Sequence, residues 1–318
     1  MINFNILKNL NEINILVIGD IMLDKYIYGI ANRISPEAPV PVIEVVSEKI
    51  MLGGAGNVIK NLVSFGSKCS VVSIIGDDEA GELVLNLVRE LGLETNMILK
   101  EKFRKTTQKN RIIASGQQVI RFDNESRDLI SEKSENSILD YLKNNIANYN
   151  AILISDYQKG MLSDNLCKSI IELSNENNKI VIVDPKGKDY SKYKNATLIK
   201  PNLKEAEIVL NKRLKNNSEI ECGLIELKEI LNSQYVIITL AEKGIAYLDN
   251  SFQILPTKSS PVCDVSGAGD TVLSSIAICL SKKLSLHESC YFSNLAASIV
   301  VRKSGSAITT IEEIINLN

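Results

Sequence analysis

The stretch Asp264-Val265-Ser266-Gly267-Ala268-Gly269-Asp270 directly precedes an apolar segment of helical period at 271–280. Its small residues leave several backbone N–H groups unpaired at the start of that helix, where the helix dipole also favours negative charge. The stretch therefore predicts an anion site. Asp270 can take a proton from a hydroxyl while the amides hold phosphoryl oxygens. The alternative is that Asp270 only caps the helix, a role that does not require glycines before it.

A second glycine-rich turn, Gly53-Gly54-Ala55-Gly56-Asn57, also precedes a segment of helical period. Glycines at such a turn let the backbone approach a ligand closely. Taken alone, the motif fits an ordinary tight turn equally well. A dinucleotide-binding fingerprint needs a third glycine at the position of Ile59, so the spacing argues against a Rossmann dehydrogenase.

Short β-branched runs alternate with segments of helical period along most of the chain. The predicted strands are 13–19, 70–75, 151–155, 180–183, 196–199 and 235–239. The predicted helices are 55–65, 79–91, 134–148, 164–175 and 222–231. This alternation predicts an α/β fold, with a mostly parallel central sheet and helices on both faces. Ligands of such sheets bind beyond the carboxyl ends of the strands.

Two segments break this alternation. Residues 25–46 contain three prolines, and residues 104–122 alternate polar and apolar around Ser115-Gly116, which is a hairpin signal. We expect these segments to form a small β-strand lid outside the main sheet. We interpret residues 1–318 as a single domain with this lid.

The composition excludes several classes of protein. The chain has 36 basic and 38 acidic residues and no long basic run, so we expect no nucleic-acid partner. No apolar stretch is long enough to cross a membrane, and the first residues lack a signal-peptide pattern, so we expect a cytoplasmic protein. The six cysteines are scattered, and we interpret all of them as small buried residues. The lone histidine, His287, lies at a predicted helix start and is interpreted as structural.

The two glycine motifs, in this order and far apart, resemble the paired signatures of the ribokinase-like (PfkB) carbohydrate kinases. The resemblance runs from about Ile15 to Gly305 and implies a ribokinase-like fold. Asn202-Leu203-Lys204-Glu205 resembles the family motif that organises magnesium and the ATP phosphates. The segment 239–244 resembles the nucleotide loop, with Ala241 in place of a common glycine.

Further segments resemble one branch of this family, the kinases that phosphorylate D-glycero-β-D-manno-heptose 7-phosphate on the anomeric hydroxyl. That reaction leads to ADP-heptose for the lipopolysaccharide core. The segments are 19–24, 33–41, 117–123, 155–160 and 184–187. In many organisms this kinase is fused to an adenylyltransferase that carries a His-x-Gly-His motif. This chain has no such motif, so we expect no adenylyltransferase domain in it.

The resemblance also implies residue roles. Asp270 would be the catalytic base, beside an anion hole built by Gly267, Ala268 and Gly269. The implied ATP-binding residues are Asn202, Leu203, Lys204, Glu205, Thr239 and Gly244. Glu205 would act on Mg²⁺ through water. The implied ligands of sugar hydroxyls are Asp20, Asp24, Gly54 and Asn57, with a strand-end cap as the alternative for Asp20.

Binding of a sugar phosphate also requires cationic side chains. The candidates are Arg33, Arg121, Lys159 and Lys186, each with a solvated surface role as the alternative. The implied cofactors are ATP and Mg²⁺, and a monovalent cation near Asp264 and Ser266 is left open. Lid contacts in related kinases imply a homodimer.

Two alternatives stay open. One is a kinase for another sugar, sugar phosphate or nucleoside, and the other is a sugar-binding pseudokinase sensor. Intact Asp270, Gly267, Gly269, Asn202 and Glu205 argue against the sensor.

Overall fold

The computed structural model describes residues 4–257, 262–303 and 305–317. The strands are β1 (Asn14–Gly19), β2 (Ile21–Ile34), β3 (Pro41–Gly54), β4 (Lys68–Gly76), β5 (Ile98–Glu101), β6 (Gln108–Ala114), β7 (Gln117–Asn124), β8 (Ala151–Ser155), β9 (Ile180–Asp184), β10 (Leu198–Ile199), β11 (Tyr235–Thr239), β12 (Ile245–Leu248) and β13 (Phe252–Leu255). The helices are α1 (Ala55–Ser64), α2 (Glu79–Glu90), α3 (Glu132–Asn145), α4 (Asp164–Glu176), α5 (Leu203–Leu210), α6 (Asn217–Leu231), α7 (Ala268–Ser281), α8 (Leu286–Val300) and α9 (Ile311–Leu317).

The main sheet has the strand order β13-β12-β11-β10-β9-β8-β1-β4-β5. Its strands pair in parallel from β11 to β5, and only the edge pairs β11–β12 and β12–β13 are antiparallel. Alternate residues of β1 enter opposite cores: Ile15 and Val17 pack with α1, α2, α7 and α8, whereas Leu16 and Ile18 pack with α3, α4 and α6. Burial of both faces explains the continuous apolar runs of the parallel strands. The predicted α/β architecture is confirmed.

The lid is a separate four-stranded sheet of order β3-β2-β6-β7. Strands β2 and β3 are antiparallel, β2 and β6 are parallel, and β6 and β7 form a hairpin. At the hairpin turn Ser115 and Gly116 both have positive φ, 51° and 81°, as a two-residue type I′ turn requires. The predicted second sheet is therefore present, although β2 and β3 extend beyond the range 25–46.

Some local predictions were wrong. Helix α6 begins at Asn217 and not at residue 222, because Asn216 caps it by accepting the N–H of Glu219. Cys222 and Cys263 are exposed, whereas the other four cysteines are buried as predicted.

His287 lies in the first turn of α8, where its Nδ1 is 2.6 Å from the Tyr247 hydroxyl, which fits a structural role. Within the described ranges, no helix is both long and apolar enough to traverse a bilayer.

Candidate active site

The fold brings together the two glycine-rich motifs, which are far apart in the sequence. Asn57 in the first turn of α1 donates its Nδ2–H to Asp270 Oδ2 over 3.2 Å. Gly54, the N-cap of α1, has φ of 59°, and a Cβ there would lie within 2.4 Å of the Asp20 carbonyl oxygen, so this turn requires glycine. The first turns of α1 and α7 therefore face each other at the carboxyl end of the main sheet.

The first turn of α7 leaves backbone donors available. Gly267 is the N-cap, with φ of 79° and no side-chain hydrogen bond. The N–H of Ala268 already bonds the Val265 carbonyl at 3.3 Å. Helix geometry gives the N–H groups of Gly269 and Asp270 no intrahelical acceptor, so they can bind an anion.

Asp270 does not cap its helix. Its side chain is buried, with 4% exposure, and accepts hydrogen bonds from Asn57 and from the Tyr157 hydroxyl, the latter at 2.8 Å to Oδ1. Burial and the nearby Asp184 carboxylate raise the pKa of Asp270 to about 6, against the opposing effects of Tyr157, Lys200 and Asn57. Asp270 is thus ionised at neutral pH but has a much higher proton affinity than an exposed aspartate, as a general base requires.

Lys200 is a buried cation beneath the α7 turn, and the sequence reasoning missed it. It is 3% exposed, and its Nζ donates to Asp184 Oδ1 at 2.9 Å. A Cβ on Gly269 would lie only 3.7 Å from this Nζ. Burial favours the neutral amine, but the carboxylates of Asp184 and its neighbours raise the pKa of Lys200 overall. The ammonium therefore adds positive charge directly below the anion site.

The Asn-x-x-Glu motif forms a capping box at the start of α5. Asn202 Oδ1 accepts the N–H of Glu205 at 3.0 Å, and Glu205 Oε2 accepts the N–H of Asn202 at 2.8 Å. Leu203 and Lys204 form the first turn of the helix. The remaining oxygen of Glu205, Oε1, pairs with the ammonium of Lys186.

The nucleotide loop lies beside this motif. The N–H of Thr239 donates to the Pro201 carbonyl at 3.1 Å, which places the end of β11 next to Asn202. Gly244 has φ of 100°, and a Cβ there would be 1.8 Å from the Leu255 carbonyl oxygen, so only glycine fits. Thr239 and Gly244 thus border the same space as Asn202 and Glu205.

The Asp20 carboxylate binds the backbone of the loop that follows β8. Its carboxylate accepts backbone N–H groups of Tyr157 at 2.9 Å, Lys159 at 3.1 Å and Met161 at 3.4 Å. Burial, with a smaller effect of Asp156, raises the pKa of Asp20 to about 6 despite these bonds. The geometry favours the capping alternative for Asp20, because its oxygens are already engaged.

Asp24 lies on the lid, at the end of β2 nearest the glycine turn. It is 6% exposed, and its Oδ1 accepts from Arg111 Nη1 on the neighbouring strand β6 at 2.5 Å. A Cβ on Gly53 would come within 2.2 Å of its Oδ2. Asp24 therefore faces the α1 turn, and the Arg111 guanidinium lies beside it.

The four candidate cations do not form one group, which corrects the interpretation from sequence. Arg33 is exposed and lies nine residues beyond Asp24 on β2, roughly 30 Å away along an extended strand. Lys186 pairs with Glu205 on the nucleotide side. Arg121 and Lys159 do lie near the lid face, but each has a carboxylate partner, Asp123 and Glu125 respectively.

The central cation of the lid face is Lys109, which sequence reasoning missed. It is the cross-strand neighbour of both Asp24 and Asp123, and its ammonium lies 5.1 Å from the centre of the Tyr157 ring. Burial lowers the pKa of Lys109, and the charges of Arg121, Lys159 and Arg111 lower it further, while Asp24 opposes them. Among the described residues Lys109 forms no ion pair, so it is a half-buried cation above Tyr157, whose hydroxyl reaches Asp270.

Asp264 is anchored by backbone amides on both sides. Its Oδ1 accepts from the N–H of Ser266 at 2.8 Å, and its Oδ2 accepts from the N–H of Gly305 at 3.0 Å. In the parts of the chain that the structure describes, no three metal-ligating side chains converge.

Comparisons with known proteins identify the family of this chain. Residues 12–313 match the pfkB family carbohydrate kinases. A "Bifunctional protein HldE" from Aliarcobacter butzleri is 48% identical over 301 residues, which cover 95% of this chain and 63% of that protein. The chain thus spans less than two thirds of the length of this relative.

Solved structures share the fold at low sequence identity. Escherichia coli phosphofructokinase-2 in complex with potassium has a TM-score of 0.78 at 19% identity, over 96% of this chain and 97% of that one. Arabidopsis thaliana ribokinase complexed with ribose and ATP has a TM-score of 0.76 at 18% identity, over 95% and 97%. Together with the family match, the paired glycine motifs and Asp270 lead to one conclusion: the chain belongs to the pfkB family of carbohydrate kinases, the ATP-dependent sugar kinases.

Proposed function

We propose that the chain transfers the γ-phosphoryl group of ATP to the anomeric hydroxyl of D-glycero-β-D-manno-heptose 7-phosphate, which gives the 1,7-bisphosphate for ADP-heptose and lipopolysaccharide core synthesis. The observation that carries the proposal is Lys109, a half-buried cation without an ion-pair partner among the described residues, on the lid face above Tyr157, whose hydroxyl contacts Asp270. The segments that resemble heptose 7-phosphate kinases support the choice of sugar.

A phosphate at the far end of the substrate would complement this lid face. Arg121 and Lys159 already have carboxylate partners, so each of them adds little net positive charge to this face. Lys109 lies over the Tyr157 ring and neighbours Asp24 and Asp123 across the strands, but within the described part of the chain it forms an ion pair with neither. A half-buried cation without a paired counter-ion is costly. A dianionic group bound beside Lys109 removes that cost, whereas a neutral sugar does not.

The geometry of Asp270 suits proton removal from the sugar hydroxyl. Once that hydroxyl lies beside the carboxylate, Asp270 takes its proton, and the sugar oxygen attacks the γ-phosphorus while the bond to the ADP oxygen breaks. The N–H groups of Gly269 and Asp270, with Lys200 below them, would hold the phosphoryl oxygens. Positioning of the two reactants supplies much of the rate in such transfers.

The nucleotide would lie on the other side of the α7 turn, along Asn202, Leu203, Lys204, Glu205, Thr239 and Gly244. Glu205 would hold Mg²⁺ through its water shell, and the metal would supply positive charge to the ATP phosphates. We extend the proposal to a monovalent cation near Asp264 and Ser266, because the potassium complex of phosphofructokinase-2 has the same fold. Asp264 is held there by two backbone amides.

Glu205→Gln is expected to raise the magnesium concentration needed for half-maximal activity several-fold, with little change in the KM for sugar. Glutamine can still accept the Asn202 N–H, so the capping box survives while the negative charge is lost. Activity is titrated against Mg²⁺ at saturating sugar. The matched control is Lys186→Met, which frees Glu205 Oε1 and should not raise the magnesium requirement. An unchanged curve for Glu205→Gln would remove Glu205 from the magnesium site.

The substrate assignment is tested by ADP release on a panel of heptoses, hexoses and pentoses, each with and without a terminal phosphate. We expect the highest kcat/KM with heptose 7-phosphate and a product whose new phosphate is attached to the anomeric carbon. A higher kcat/KM with another sugar phosphate would retain the proposed phosphate contact at Lys109 and assign a different sugar as the substrate. ATP and sugar binding without turnover on any member would favour the pseudokinase sensor.

We also propose a homodimer formed through the lid, in the cytoplasm. The lid exposes apolar side chains that a second copy could cover, namely Ile30, Ile34, Val45, Val46, Ile120 and Phe122. The related fold of phosphofructokinase-2 has been solved in a tetrameric form. Sedimentation of the wild type and of a variant with Val46→Lys would measure this, since a charge at a buried interface should favour monomers.

A further inference from the structure

Tyr157 reaches the proposed base from a loop that belongs to neither glycine motif. It follows β8, and its hydroxyl donates to Asp270 Oδ1 over 2.8 Å. The opposite oxygen, Oδ2, accepts from Asn57 Nδ2 at the longer distance of 3.2 Å. The two donors thus fix the plane of the carboxylate, with a short bond on one oxygen and a weaker one on the other.

The backbone of Tyr157 and its ring are fixed by different groups. Asp20 accepts the N–H of Tyr157 and those of Lys159 and Met161, which fixes the backbone of the loop. Asp156, the preceding residue, accepts from Lys192 Nζ at 2.7 Å. The Lys109 ammonium lies over the Tyr157 ring from the lid. A tyrosine held this firmly can hold another side chain in turn.

We propose that Tyr157 is a positioning residue that holds Asp270 Oδ1, so that Oδ2 is the oxygen that receives the proton of the sugar hydroxyl. The incoming hydroxyl would displace the weaker Asn57 bond, and the Asn57 amide would then be free to bind a sugar oxygen. The short Tyr157 bond would persist through the reaction and prevent rotation of the carboxylate. This inference rests on the proposed role of Asp270 as the base.

The Tyr157 hydrogen bond also affects the pKa of Asp270. A hydrogen bond donated to a carboxylate stabilises its charged form, and Tyr157 opposes the upward shift of the Asp270 pKa that burial causes. The other charged groups that act on Asp270 or contact its partners are Asp184, Lys200, Lys60, Asp24, Glu205 and Lys109. Loss of the Tyr157 hydroxyl leaves these groups in place and should raise the Asp270 pKa above about 6.

The test is Tyr157→Phe, which keeps the ring under Lys109 and removes only the hydroxyl. Because catalysis needs ionised Asp270, the acid limb of the kcat/KM profile should move to higher pH by roughly one unit. The value of kcat at high pH should fall about 10-fold from loss of orientation, with an unchanged KM for ATP. Asp20 also has a raised pKa, but its donors are backbone amides that this substitution leaves intact.

Tyr141→Phe is the matched control, because it removes a tyrosine hydroxyl bond of 2.7 Å, to Tyr149, away from Asp270. It should leave the pH profile unchanged. Thermal melts of both variants report folding separately. An unshifted acid limb in a folded Tyr157→Phe enzyme would overturn the inference while leaving Asp270 as the base. If Asp270 is not the base, the result is a different one: an Asp270→Asn enzyme still turns over.

Discussion

Asp270→Asn is expected to lower kcat by roughly 10²–10⁴-fold while ATP binding stays close to that of the wild type. Asparagine keeps the shape of the side chain and can still accept from Tyr157 over the distance seen for Asp270 Oδ1. It cannot accept the sugar proton. The KM for ATP should change little, because the proposed nucleotide residues lie around α5 and β11 and not on the Asp270 side chain.

The measurement is kcat by ADP release, combined with ATP affinity by calorimetry. Asp140→Asn, on an exposed carboxylate of α3, is the matched control and should retain full activity. Thermal stability of Asp270→Asn should be equal to or above that of the wild type, because the variant no longer buries a charge with a raised pKa. A folded variant with near wild-type kcat would exclude Asp270 as the base.

Lys109→Met is expected to raise the KM for a sugar phosphate by roughly 10–100-fold and to leave the KM for ATP unchanged. A charged hydrogen bond to phosphate contributes about 1.5–3 kcal/mol, which corresponds to that range. Methionine retains an apolar stem over the Tyr157 ring, so the packing there is largely kept.

Steady-state kinetics with sugar phosphate as the varied substrate measure this effect. Lys105→Met removes an exposed lysine four residues earlier and should change nothing. Lys109→Met should also have little effect on a neutral sugar, since no phosphate contact exists to lose. Equal losses for the neutral sugar and its phosphate would mean that Lys109 acts on the fold or the lid, and not on a phosphate.

Much of the fold could be predicted because parallel strands buried on both faces leave a strong pattern. The strands at 151–155 and 235–239 have the predicted bounds. The edge pair β12 and β13 was missed, because each strand has only four residues, too few to show a period: β12 is mostly buried and β13 is mostly half-buried. Helix α5 was missed because its eight residues begin inside a motif that was interpreted only as a ligand site.

The candidate site was predictable where one short motif contains both the backbone geometry and the chemistry. Asp270 and Asn57 meet because both glycine turns are at the same end of the sheet. Tyr157 and Lys109 were not predictable, since their contacts depend on how the loop after β8 and the lid approach each other. The sequence analysis assigned Lys186 to the sugar, but the structure pairs it with Glu205. Lys186 follows β9 and Glu205 follows β10, and these two strands are adjacent in the sheet. That adjacency could have indicated the pair.

The most direct test of the account is the kcat/KM of the wild-type enzyme for heptose 7-phosphate compared with the same heptose without its phosphate, at fixed saturating ATP and Mg²⁺. A phosphate held by Lys109 and its cationic neighbours should favour the phosphorylated sugar by about 100-fold or more. Most of that preference should disappear in Lys109→Met. Equal values for the two sugars, or a preference for the neutral heptose, would contradict the account and make this chain a kinase of unphosphorylated sugars.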